Sequence, residues 1–156
     1  MFQSEKLIHI AQEIADERPE FFERKGAGKG DRDTDSFMEE LRERARQAFG
    51  SYFAEKQICG DTKLTVDFFF PEEAAIVEVA LSLRNPNSEF EKDILKALMA
   101  KQAGENVKTL VFLSKPGAVK QHNQPGSLAI ISWANKEYGL SIFVRELVNN
   151  HVACPP

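Results

Sequence analysis

Residues 63–70 and 74–83 are two runs with apolar side chains at alternate positions, joined by Pro71-Glu72-Glu73, and no other feature of the chain restricts its fold as much. A period of two belongs to strands, and a proline followed by two glutamates marks a tight connection, so the pair reads as an antiparallel hairpin. With Glu72 and Glu73 at the turn centre, Asp67 lies opposite Glu78, Thr65 opposite Ala80 and Lys63 opposite Ser82. These six residues share one face. The other face carries Leu64, Val66, Phe68, Phe70, Ala75, Val77, Val79, Leu81 and Leu83. Like charges directly opposite on a sheet are destabilising by up to about 1 kcal/mol. A wet face would screen that repulsion. A face covered by a helix would call for a compensating cation, and an oxygen-only ligand set favours Mg²⁺ over zinc.

The rest of the chain supplies layers for this hairpin. Ser4 reads as the N-cap of a first helix with Leu7, Ile10, Ala11 and Ile14 at helical spacing, ended or bent by Pro19. Residues 24–35 combine glycines with alternating charge, the composition of a mobile loop. The alternative is an arm whose Arg24, Lys25, Lys29 and Arg32 touch phosphates. A second helix spans 34–49, burying Phe37, Met38, Leu41, Ala45 and Ala48, with Arg42, Arg44 and Arg46 mostly outward. A weak strand at 52–59 precedes the hairpin. After it, Ser88 and Glu91 form a capping box for a helix to about residue 102, with Phe90, Ile94, Leu95, Leu98 and Met99 inward. The continuous apolar run 107–113 reads as a buried parallel strand reached by a crossover. Then follow a turn-rich connection at 115–126, a helix at 127–138 capped by Ser127 and stopped by Gly139, and a short strand at 140–144. This order predicts an α/β sandwich, helices flanking a mixed central sheet.

Composition narrows the function classes. With 156 residues, 42% hydrophobic and 28% charged, the chain is expected to fold as a single domain, 1–156. It divides into an N-terminal helix and flexible loop (1–33), a core (34–113) and a C-terminal helix and strand (114–156). A net charge of −4 gives no basic signature, so any DNA contact must rest on a local patch. Cys59 and Cys154 read as free thiols in a reducing compartment. There is no apolar run long enough to span a membrane and no signal-peptide core, so a cytoplasmic protein without a membrane partner is expected. His9, His122 and His151 lack metal-ligand spacing and read as surface residues, and Trp133 reads as core.

Val66-Asp67, followed by Ile76-Val77-Glu78-Val79-Ala80 and then a helix, resembles the active-site hairpin of the PD-(D/E)XK, or restriction-endonuclease-like, nuclease superfamily. The order helix, three strands, helix, strand over residues 34–113 is similar to the common core of that superfamily. The stretch on to Ser88-Glu89-Phe90-Glu91-Lys92-Asp93-Ile94 is most similar to the Bgl-type and Bam-type restriction endonucleases. The resemblance implies a restriction-endonuclease-like α/β/α sandwich that hydrolyses DNA phosphodiester bonds with Mg²⁺, or Mn²⁺, by in-line attack of a metal-activated water. Asp67, Glu78 and the carbonyl of Val79 would hold the ion, with Glu40 as a further ligand from the preceding helix. Where the superfamily usually has lysine this chain has Ala80, which cannot orient water or stabilise charge. Lys92 and Lys96, one turn apart on the following helix, are the candidate substitutes; otherwise they decorate a solvated face. A homodimer would suit cleavage of both strands. The alternatives are a catalytically silent DNA-binding or protein-interaction module of the same fold, or a domain binding a small metabolite.

Overall fold

The computed structural model describes residues 1–23, 30–81 and 86–151. Its elements in chain order are α1 (Gln3–Asp16), α2 (Glu20–Glu23), α3 (Gly30–Phe49), β1 (Ala54–Lys56), β2 (Val66–Phe70), β3 (Ala75–Ala80), α4 (Pro86–Gln102), β4 (Thr109–Ser114), α5 (Ala118–His122), α6 (Pro125–Tyr138) and β5 (Ser141–Glu146). The five strands form one mixed sheet in the order β1-β2-β3-β4-β5. The first three pair antiparallel, and β4 and β5 add parallel through the helical crossovers α4 and α6.

The hairpin pairs Phe68 with Val77, Phe69 with Ile76 and Phe70 with Ala75, the register that sets Asp67 against Glu78. Its connection is a 3-10 turn, Pro71–Glu73, closed by Ala74 in the left-handed region at φ 53°. That conformation is unfavourable for a residue with a Cβ. It is held by the strand beyond, because the Ala74 carbonyl accepts from the amides of Lys108 (2.8 Å) and Thr109 (3.1 Å) at the entry to β4.

An apolar cluster lies on each face of the sheet. Leu7, Ile10 and Ile14 of α1 and Phe37, Met38 and Leu41 of α3 pack on Phe68, Phe70, Val77, Val111 and Leu113. Phe90, Ile94, Ala97 and Ala100 of α4, with Ala134 of α6, pack on Phe69, Ile76, Leu110 and Phe112. Strand β4 alternates between the two clusters, which is why it reads as uninterrupted apolar sequence.

Several expectations are corrected. The hairpin faces are less cleanly divided than alternation suggests: Phe69 and Ile76 are buried on the α4 side, and Val66 joins them there rather than Phe68. Phe2, not Ser4, precedes α1. The Ser4 amide (3.2 Å) and hydroxyl (2.6 Å) instead donate to Glu73, whose carboxylate crosses from the hairpin turn to the positive end of the helix. Likewise Gln124 rather than Ser127 caps α6, since Pro125 is well placed at a first helical position. A short helix, α5, occupies the middle of the expected connection at 115–126. Trp133 is 47% exposed and packs edge-on against Tyr138, because only Ala134 of α6 is fully buried. Leu95 is 53% exposed and Ala48 also faces out. His122 is buried, its ring 4.5 Å from Phe90 and 5.7 Å from Phe112 between centroids; burial lowers its pKa, favouring the neutral imidazole. Helix α3 begins at Gly30, inside the arm expected at 24–35, and α4 begins at Pro86, which places Ser88 within its first turn and not at its N-cap; residues 24–29, Ser82, Leu83 and Cys154 lie outside the described residues. Cys59 is a buried free thiol. No helix among the described residues is long and apolar enough to cross a membrane.

Candidate functional site: a buried charge cluster at the end of the hairpin

The end of the hairpin farthest from its turn opens into a cleft of about 490 Å³ between α3 and α4. Thr34, Met38 and Arg42, successive turns of one face of α3, form one wall, and Glu89, Asp93 and Lys96 of α4 form the other. Asp67, Glu78, Val79, Ala80 and Leu81 make the floor. Both carboxylates of the cross-strand pair therefore face the same space. Each also reaches across to the other strand: the Val79 amide donates to Asp67 Oδ2 at 2.8 Å, and the Asp67 amide points at Glu78 Oε2 at 3.4 Å.

The counter-charge comes from α4. Lys96 Nζ lies 2.7 Å from Glu78 Oε1 and 2.9 Å from Asp93 Oδ1, and it donates to the Thr65 carbonyl at 3.0 Å. All three charged residues are withdrawn from water, with Glu78 2%, Asp93 7% and Lys96 7% exposed. The enclosed Glu78 Oε1 thus has the Lys96 ammonium as its close neighbour. Burial above all, with the charges of Asp67 and Asp93 added, pushes the Glu78 carboxyl up to about 9 against the opposing pull of Lys96. Burial likewise raises Asp93, despite Lys96 beside it. For Lys96 burial acts the other way, but Glu78 and Asp93 outweigh it and hold the amine charged.

Of the residues singled out in the sequence, Asp67, Glu78, Val79 and Lys96 come together. Lys92 is exposed and does not line the cleft. Glu40 points elsewhere on α3, into ion pairs with Arg18 and Arg44, the latter also holding Glu17 at 2.5 Å. Asp93 and Arg42 were not singled out. Asp93 carries a legible signal, because it falls between Phe90 and Ala97 at i+3 on the buried stripe of α4, where an acid needs a partner, and Lys96 follows three residues later.

In kind, the oxygens of Asp67, Glu78 and the Val79 carbonyl suit a hard divalent cation, which would share Glu78 with the Lys96 ammonium. In number they are few: no group of three or more His, Cys, Asp or Glu side chains among the described residues is arranged to hold a metal. Mg²⁺ commonly retains several waters and binds through one or two carboxylates, so the set remains compatible with it.

The geometry refines what mutation of Asp67 should do without metal. Asp67→Asn keeps an acceptor for the Val79 amide and removes a charge that disfavours ionised Glu78, so an unchanged or higher melting temperature in EDTA is expected. Asp67→Ala also strands the amide and should be less stable than Asp67→Asn by about 1 kcal/mol. Equal melting temperatures for the two variants would show that the amide contact contributes nothing.

Comparison with protein-family models, with curated proteins and with solved structures gives no match to this chain.

Proposed function

We propose that this chain is a divalent-metal-dependent DNA endonuclease built on a restriction-endonuclease-like sandwich. The observation that carries this reading is the placement of Lys96: its ammonium reaches the Glu78 carboxylate at 2.7 Å from a neighbouring helix, supplying the cationic side chain that Ala80 lacks. Asp67 and Glu78, with the Val79 carbonyl, would hold Mg²⁺ or Mn²⁺, which when bound polarises a phosphoryl oxygen and acidifies water. The protein's own contribution is a partly enclosed floor in which Lys96 balances charge developing on the phosphoryl group, in surroundings where electrostatic effects are stronger than in water. Cleavage of both strands would call for a two-fold dimer.

One observation favours the other reading, a catalytically silent module of the same fold. Lys96 already pairs with Glu78 and Asp93, so much of the acid charge is balanced within the chain. Nicking of supercoiled DNA in Mg²⁺ and Mn²⁺ separates the two. An endonuclease should cut, and Asp67→Asn and Glu78→Gln should each abolish cutting. No cleavage by the wild type or by Ala80→Lys, together with no metal uptake in calorimetric titration, would leave the silent module.

A further inference from the structure

Lys96 is paired closely with Glu78 and Asp93, whereas the second cation of the cleft is held more loosely. Arg42 enters from α3, so the two helix layers each place one cation at the open end of the hairpin. Its Nε is enclosed by protein without any hydrogen-bond partner. Among the described residues its Nη1 reaches Glu55, at 3.4 Å, in a pair whose side chains are 30% and 50% exposed. Such a long, solvent-exposed pair holds a guanidinium weakly. A guanidinium has five donors in a planar fork that matches two oxygens of one phosphate, and an enclosed N–H without an acceptor is unfavourable. Among the described residues, Arg42 is thus a donor with capacity to spare.

The charge around it indicates when that capacity is used. Among the described residues lining the cleft, Asp67, Glu78, Glu89 and Asp93 face Arg42 and Lys96, an excess of acid that repels a lone anion. A phosphate enters favourably together with a cation that offsets the acids. We infer that Arg42 is the phosphate clamp of this cleft, gripping a phosphodiester group of a nucleic acid while the floor residues address the same or the adjoining phosphate. The assignment rests on the phosphodiester reading of the cleft and adds to it the residue that positions the substrate.

The test is binding of a fluorescein-labelled DNA duplex in Ca²⁺, followed by anisotropy over a range of salt, with nicking in Mg²⁺ measured separately. Arg42→Ala should weaken binding about tenfold and flatten the dependence of log affinity on log salt by about one. Arg42→Lys, which keeps the charge and loses the fork, should fall between. Arg46→Ala, on the outer surface and paired with Glu43, should bind as the wild type does. This pattern supports the clamp whether or not the protein cuts DNA. Unchanged affinity in Arg42→Ala, or an equal loss in Arg46→Ala, overturns it and leaves the nuclease reading to the nicking experiment. A wild-type protein that binds no duplex at any salt overturns both.

Discussion

On the proposed nuclease reading Lys96→Met should destroy cleavage and, unlike a surface lysine change, it should also lower stability markedly. The substitution keeps the length of the side chain and removes the ammonium that lies within 3 Å of Glu78 and Asp93. Removing one partner of a buried ion pair typically destabilises by about 3–5 kcal/mol, because the remaining charge has no partner and no water. A sequence-based expectation for a helix-surface lysine is loss of activity at an unchanged melting temperature; burial of Lys96 rules out that separation. Lys92→Ala, by contrast, alters an exposed side chain and should change stability by less than about 0.5 kcal/mol. Thermal melts at pH 10, where Glu78 is ionised in the folded protein, and nicking assays on the same preparations decide the matter. A Lys96→Met protein that melts with the wild type there would mean the ammonium contributes nothing to holding the ionised acids.

The second large effect is a dependence of stability on pH that runs against the usual one for carboxylates. Glu78 has an ordinary value of 4.5 and is pushed up to about 9 in the folded protein. Between these values the native state holds a proton that the unfolded chain has released. The stabilising contribution is complete below about 4.5 and is lost as pH rises through about 9, at a slope of at most about 1.4 kcal/mol per pH unit for one proton. Asp93, also raised, acts in the same sense, and Lys96 extends it only above its ordinary value of 10.5. In EDTA the wild type should therefore lose stability steadily from pH 5 to 9. Glu78→Gln, which has no proton to lose there, should show a flatter profile and cross above the wild type at the alkaline end. A wild-type profile as flat as that of Glu78→Gln would count against a raised Glu78.

The hairpin was legible because its information is local: alternation names the faces, and Pro71-Glu72-Glu73 fixes the register, so Asp67 and Glu78 could be paired from sequence. The α4 crossover and buried β4 were legible for a similar reason, a strong apolar period. Depth was not legible. Lys96 and Asp93 are residue types that rarely lie inside, and only the position of Asp93 on the apolar stripe betrays the exception. Trp133 shows the reverse error, an aromatic residue in an apolar helix of which only Ala134 is buried. The resemblance pointed to Ala80 as a gap, but only packing of α4 against β3 reveals which lysine reaches Glu78.

One consequence concerns the order in which the molecule assembles. Asp67, Glu78, Asp93 and Lys96 belong to a hairpin and the helix immediately after it, so bringing them together closes only short loops, and closure entropy grows with loop length. Their contacts are of the short-range kind that accelerates folding. The contacts that seal the ends of the chain are different: Gln12 exchanges two 2.8 Å hydrogen bonds with Val148, and Glu5 meets Arg145 at 2.6 Å, each across almost the whole sequence. The charge cluster is accordingly expected to be in place while α1 and β5 are still finding each other, so the apolar shell around the acids closes over a floor that already contains its lysine.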